Sequence, residues 1–342
     1  MRYLVPALPL LFAACSAPGP REGGSGAIML NGAGATFPYP IYAKWFDEYH
    51  RQRPDARINY QAIGSGGGIR QLQAGTVDFG ASDMPVGDAE LAKFPVPVLH
   101  FPTVAGAVVP MYNLPGVAQD LNFTPRGLAG IMLGTIRKWN DPEIAGANPG
   151  TVLPAADIVV VHRSDGSGTT FIWTDFLSRV SPEWKSKVGV GTSVSWPVGL
   201  GGKGNEGVSG LVKQTANSIG YVELIYAVQN RIPYGKVRNA AGNFVKADLK
   251  TVTAAAAGAA ANMPADFRVS IVNAPGADAY PVSSFTWLLV PSRIQNPEKA
   301  RVLKDFLRWM SGPGQKVAET LSYAPLPAEV AAQVRQAVGR IP

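Results

Sequence analysis

Arg163 and Asp165 stand two residues apart in the stretch "HRSDGSGTTF" (162–171), followed by Gly166, Ser167, Gly168, Thr169 and Thr170. Phe171, Ile172 and Trp173 then begin an apolar pattern with helical spacing. A helix N-terminus exposes unpaired N–H groups and carries a partial positive charge, so it can hold an anion. Glycine lets a ligand oxygen approach the backbone, and serine or threonine adds a hydroxyl donor. Two further stretches share this design of strand, small residues and helix: "GAGATF" (32–37) and "GSGGG" (64–68). Taken singly, Ser167 or Thr169 reads as an ordinary N-cap. Three such loops, with Arg163 beside one of them, point to one shared anionic ligand.

Catalytic readings of the same residues fail on spacing. A phosphate-cradling G-x-x-x-x-G-K-[ST] loop is not met by "PVGLGGKGN", where Pro197 replaces the first glycine and Gly204 follows Lys203. A G-x-S-x-G nucleophile elbow is not met at Ser167, flanked two positions away by Asp165 and Thr169. Ile69 stands where a dinucleotide-binding G-x-G-x-x-G needs its last glycine. The three histidines, His50, His100 and His162, have no metal-ligand spacing and read as surface or packing residues. No base has a nucleophile beside it, and neither a metal nor a cofactor is implied.

The elements that position these loops alternate in the α/β manner. "IMLNGAG" is a strand leading to a helix opened by Pro38, with apolar residues at 41, 42, 45, 46 and 49. "RINYQAIG" is a strand and "SGGGIRQLQAG" a short helix closed by Gly75; "TVDFGASD" is a strand ending at Asp83. "HFPTVAGAVVPMYN" is strongly β-like, "TPRGLAGIMLG" helical, and "IRKWNDPEI" a surface turn. "DIVVVHR" is a buried strand whose following helix carries Ile172, Trp173, Phe176, Leu177 and Val180 on one face. "WPVGLGGKGNEGV" is a glycine-rich loop before the helix "SGLVKQT" and the strand "SIGYVEL". "TVTAAAAGAAANM" predicts a surface helix, "VSSFTWLLV" a late strand, and the remainder a helical end.

At 342 residues the chain is long enough for two domains. It is 46% hydrophobic and 16% charged, the balance of a globular protein. The formal charge of +7 is scattered; the densest basic cluster, Arg51 to Arg57, is interrupted by Gln52, Pro54 and Asp55. Nucleic acid is therefore not an expected partner. "MRYLVPALPLLFAAC" has one basic residue, an apolar run too short to span a bilayer, and small residues ending at Cys15. Residues 1–15 read as an export signal. Ending at a lone cysteine, the segment resembles a bacterial lipoprotein signal with Cys15 lipidated; the alternative is an ordinary cleaved signal. Cys15 is the only cysteine, so no disulfide staples the fold. Residues 16–26, "SAPGPREGGSG", form a flexible linker, and the folded part should begin near Ala27.

"NGAGATFPYPIYAKW", "NYQAIGSGGGIRQL", "TVDFGASDMP", "HRSDGSGTTFIWTDFL", "WPVGLGGKGNEGV" and "IGYVE" together resemble the phosphate-binding proteins of bacterial phosphate ABC transporters. The likeness runs in order from about Ala27 to "YAPLP". It implies a two-lobed periplasmic-binding-protein fold of type II character that closes on phosphate in the cleft between its lobes. Residues 27–104 with 283–342 would form the first lobe and residues 105–282 the second. The chain would cross near 103–106 and return near 282–284. On matching positions the resemblance implies Thr36, Phe37 (through its backbone N–H), Ser65 and Asp83 as ligands from one side. Arg163, Ser167, Gly168 and Thr169 would come from the other, with Asp165 orienting the arginine. Relatives often carry a second serine where this chain has Gly66. The implied role is capture of inorganic phosphate in the periplasm or cell envelope and delivery to the permease subunits of an importer, as a monomer and not as an enzyme.

Asp83 is unexpected in an anion site. Without the resemblance it reads as a turn-forming residue after a strand; with it, as the acceptor of the P–OH hydrogen that phosphate keeps near neutral pH and sulfate lacks. Three alternatives are weighed beside this one. A binding protein for sulfate, molybdate or another oxyanion would have no use for Asp83. A phosphoryl-handling enzyme would need the nucleophile or metal cluster absent above. A surface protein holding phosphate as a structural ion would need no hinged cleft.

Overall fold

The computed structural model describes residues 27–341. The expected export signal, the lipidated Cys15 and the linker at 16–26 lie outside the described residues. Eleven strands follow in chain order: β1 (Ile28–Gly34), β2 (Ala56–Ala62), β3 (Phe79–Ser82), β4 (Val98–Asn113), β5 (Asn122–Phe123), β6 (Val159–Arg163), β7 (Leu200–Gly202), β8 (Ser218–Glu223), β9 (Lys236–Arg238), β10 (Phe244–Val245) and β11 (Ser283–Pro291). Eight form one sheet in the order β2-β1-β3-β11-β4-β8-β6-β7, and β10-β9-β5 form a small second sheet.

The large sheet is two parallel blocks joined by an antiparallel centre. β2, β1 and β3 pair in parallel, as do β8, β6 and β7. Between them β11 and β4 run antiparallel to each other and to the blocks they border. β4 is 16 residues long and changes partner midway: Ala107 sits opposite Ser283, whereas Val108 sits opposite Glu223. One strand is thus shared by two lobes, and the α/β, two-lobed reading holds. In each block the carboxyl ends of the parallel strands face the region between the lobes, the place where open α/β sheets bind ligands.

The three small-residue loops sit as expected. Helices Tyr39–Gln52, Ser65–Gln73 and Gly168–Val180 follow β1, β2 and β6 directly. Helix Tyr39–Gln52 buries Trp45 and Phe46 against the sheet, and Phe46 meets Phe306 of helix Pro297–Met310 at 5.3 Å between ring centroids. In the other lobe Trp173 stacks on Tyr221 of β8 at 5.3 Å.

Four expectations need correction. "IRKWNDPEI" is more than a surface turn: Trp139 is fully buried, its Nε1 donates to the Asn217 carbonyl, and Pro142–Ala147 is a helix capped by Asp141. In "WPVGLGGKGNEGV" the structure has strand β7, and the next helix begins at Gly204, five residues before the expected start at Ser209. The Ala-rich helix (Leu249–Ala260) is present but buries Val252, Ala255, Ala256 and Ala259, so alanine serves close packing there. The C-terminal segment is not one helical run. It breaks around Pro313 and again through Pro325 and Pro327, because proline cannot continue a helix. The second break lets Tyr323 and Ala324 return to the centre, where Ala324 pairs with Ala105 of β4.

A bulge in the central strands bears on the site. The register of β11 against β4 shifts at Thr286/Trp287, leaving Thr103 as the extra residue beside Pro102. A bulge is where a central strand tolerates proline, and it re-aims neighbouring side chains. Here Thr286 turns its hydroxyl to Asp83.

Candidate functional site

Arg163 is the last residue of β6, and its side chain is 1% exposed. Its backbone N–H donates to Tyr221 Oη at 3.1 Å. Nε and Nη2 donate to Asp165 Oδ1 and Oδ2 at 2.8 and 2.6 Å, a two-bond fork that fixes the guanidinium plane. Asp165 is held in turn by the Gly204 N–H at 3.0 Å. Burial alone would raise the Asp165 carboxyl. The bonds and charge of Arg163, with Gly204, outweigh that and hold it below the ordinary carboxylate range. Arg163 Nη1 is buried and has no hydrogen-bond partner among the described residues. A charged donor left so is costly unless something fills the site.

The loops from the two lobes meet beside this group. Ser65 Oγ accepts the N–H of Gly168 at 3.1 Å and that of Asp83 at 3.3 Å, so one hydroxyl ties β2, β3 and β6 together. The Gly66 N–H donates to the Gly166 carbonyl at 2.9 Å across the cleft, which is closed in this structure. The contact depends on absent side chains. A Cβ on Gly168 would lie 2.5 Å from Ser65 Oγ and 2.6 Å from Asp83 Oδ2. Gly64 adopts φ +85°, and a Cβ there would meet Asp165 Oδ2 at 2.3 Å.

Ser167 is the N-cap of its helix: its Oγ accepts the Thr170 N–H at 3.0 Å. The cap leaves the hydroxyl hydrogen for another acceptor, so capping and ligand contact are compatible. Thr36 and Thr169 are both buried and are linked through Asn205, whose Nδ2 donates to their hydroxyl oxygens at 2.8 and 3.3 Å. The carbonyls of Thr36 and Phe37 accept hydroxyls of Tyr226 and Tyr323, each at 2.6 Å. These two bonds, from distant parts of the chain, hold the first loop in place.

Asp83 ends β3 and is 1% exposed. Thr286 Oγ1 donates to its Oδ1 at 2.7 Å. Burial pushes its carboxyl up to about 7, against the lowering by Thr286, the Arg163 charge and Ser65. A folded value above the ordinary 3.8 means that this group's contribution to stability is full below about 4 and is lost as pH rises through about 7. His100, which burial lowers to about 4, acts with the opposite sign over part of that window. The difference between two proteins therefore isolates Asp83. Ligand-free Asp83→Asn should gain thermal stability relative to the unaltered chain between pH 5 and pH 8; a constant gap in melting temperature would refute the buried, protonatable carboxyl.

All nine residues named from the sequence around the three loops and β3 thus lie in one locus, eight of them buried and Asp165 partly so. Sequence reading missed Asn205, Tyr221, Tyr226, Thr286 and Tyr323. Asn205 falls in a stretch whose glycines suggest a loop, and Thr286 carries one faint signal, a lone hydroxyl inside the apolar strand "FTWLLV". Among the described residues no group of His, Cys, Asp and Glu side chains could hold a metal ion, and no helix is long and apolar enough to cross a membrane.

Comparison with known proteins identifies the family. Residues 19–313 match the model of the PBP superfamily domain. A Phosphate-binding protein PstS of Pasteurella multocida is 47% identical over 310 residues, covering 90% of this chain and 89% of its own. The Phosphate-binding protein PstS of Xylella fastidiosa is 46% identical over 309 residues, covering 90% and 84%. Among solved structures, a high-affinity periplasmic phosphate-binding protein (PfluDING) bound with phosphate superposes with a TM-score of 0.71 at 23% identity, covering 91% of this chain and 94% of its own. The chain belongs to the PstS phosphate-binding proteins of the PBP superfamily.

Proposed function

We propose that this protein captures inorganic phosphate in the closed cleft and hands it to the permease subunits of a phosphate ABC importer. The observation that carries the reading is Arg163 Nη1: a buried cationic donor without a hydrogen-bond partner among the described residues, beside the helix N-terminus that holds Ser167, Gly168 and Thr169. The ligand set we assign is Thr36, the Phe37 backbone N–H, Ser65, Asp83, Arg163, Ser167, Gly168 and Thr169, with Asp165 orienting Arg163. An anion stripped of water needs a donor for nearly every oxygen, and this set supplies hydroxyls, backbone N–H groups and a guanidinium. Arg163 is largely balanced by Asp165, so the site holds its anion with dipoles as much as with net charge.

Residues 27–104 with 283–342 and residues 105–282 serve as the two lobes, with the partner change in β4 as the natural place for bending. Ligand contacts made from both lobes favour the closed form, and that form is what the permease would recognise. The protein acts as a monomeric carrier and not as a catalyst, in the periplasm or cell envelope, with Cys15 as the site of a lipid anchor. Titrating the purified protein with inorganic phosphate at neutral pH should give one saturable site per chain by calorimetry. Absence of saturable binding would remove the proposal.

A further inference from the structure

Thr36 Oγ1 is approached by two donors from a single residue, Asn205 Nδ2 at 2.8 Å and the Asn205 backbone N–H at 3.3 Å. Thr169 Oγ1, from the other lobe, receives the same Nδ2 group at 3.3 Å. The face that Asn205 turns to them is set independently. Its Oδ1 accepts the Glu223 backbone N–H at 3.0 Å, and a backbone nitrogen can only donate. The atom facing both threonines is therefore the amide nitrogen. Asn205 is fully buried, so no bulk water competes for these bonds.

A hydroxyl has one hydrogen and two lone pairs. Asn205 occupies both acceptor positions of Thr36 and one of Thr169, which leaves each hydroxyl hydrogen for a different acceptor. We infer that Asn205 is a positioning residue that sets the polarity of two hydroxyls on opposite sides of the cleft, so that both donate to the bound anion. The Asn205–Thr36 bond also spans 169 residues of chain between the lobes, so it forms as they close. The inference rests on the phosphate reading above. An acceptor at the same place would reverse the effect: the threonines would donate to it and turn lone pairs towards the anion.

The test is calorimetry with inorganic phosphate on the complete mature chain, with ligand-free melting temperatures alongside. Asn205→Ala should weaken binding by about tenfold, and the isosteric Asn205→Asp by a further tenfold or so at pH 8. The decisive comparison repeats Asn205→Ala in two backgrounds. In Thr36→Ser, which keeps the hydroxyl, the loss should remain in full; in Thr36→Val, which lacks it, the loss should shrink to a few-fold. Equal losses in both backgrounds would mean that Asn205 only packs, and would overturn the inference. Wild-type affinity in Asn205→Asp would overturn it too, and that variant carries the test if Asn205→Ala does not fold. If the unaltered chain fails to bind phosphate, the phosphate reading falls and this inference with it; if it binds and the losses are equal, only the role of Asn205 falls.

Discussion

Asp83→Asn should collapse the preference for phosphate over sulfate. The carboxylate lies in the proposed anion locus, where a second negative group is repulsive unless the ligand brings a hydrogen for it to accept. Near neutral pH phosphate carries one and sulfate does not. A site built to pair with such a hydrogen rejects the isostere lacking it by roughly 10⁴-fold, because acceptor then faces acceptor. The geometry says which atom changes. Thr286 Oγ1 donates to Asp83 Oδ1, so in the asparagine variant the carbonyl oxygen keeps that place and the amide NH₂ takes the place of Oδ2. Oδ2 is the atom beside Gly168, towards the opposite lobe. A donor then stands where the acceptor was, which favours sulfate and disfavours the P–OH group. The raised carboxyl adds a second signature. Below about 7 Asp83 holds a proton and can donate to sulfate, so discrimination by the unaltered protein should weaken as pH falls through that range. The variant should lose this pH dependence. Calorimetric affinities for both anions at pH 6 and pH 8 read both effects, and unchanged exclusion of sulfate by Asp83→Asn would sink the assignment.

Arg163→Ala should weaken phosphate binding by at least about 2 kcal/mol, roughly 30-fold, as expected for a lost buried charge-assisted bond. Two consequences act together. The anion loses Nη1, and Asp165 loses both partners on the fork, keeping Gly204 as its neighbour while still partly buried. An unpaired carboxylate turned towards the site repels the ligand as well as destabilising the fold. Arg163→Lys should recover only part of the loss. A lysine ammonium cannot hold Asp165 by two parallel bonds and present a further donor in the guanidinium plane. Titration with phosphate beside ligand-free melting curves separates affinity from stability. A change in affinity near zero in Arg163→Ala would refute its role.

The parts of this site that the sequence made legible are those written locally. A strand, a few small or hydroxyl residues and a helical period recur in "GAGATF", "GSGGG" and "DGSGTT", and each is placed by its own neighbours in the chain. Arg163 and Asp165 are two residues apart, so their pairing could be read directly. What stayed hidden is what arrives from far away. Thr286 reaches Asp83 over 203 positions, Tyr226 reaches Thr36 over 190, and Tyr323 reaches Phe37 over 286. Apart from the lone hydroxyl of Thr286 in its apolar strand, none of these has a local pattern that sets it apart from ordinary core or loop residues. The bulge that aims Thr286 depends on the register of β11 against β4, which no periodicity reveals. Trp139 differs from its sequence setting for a related reason: a polar, turn-rich stretch suggests the surface, while tertiary packing buries its ring.

Asn205 and Asp83 make the same point about mechanism. On the proposed ligand set, selectivity rests on which groups can only donate and which can only accept, and neighbours outside that set decide it. Glu223 fixes Asn205 through its backbone N–H, and Thr286 fixes Asp83 through its hydroxyl.

This cleft should prefer an oxyanion that carries a proton. Calorimetry of the unaltered protein at pH 8 with phosphate, arsenate and sulfate in turn tests it most directly. Phosphate and arsenate should both saturate one site, because both keep a hydrogen for Asp83, and sulfate should bind weaker than phosphate by roughly 10⁴-fold. Sulfate binding as tight as phosphate would contradict the account.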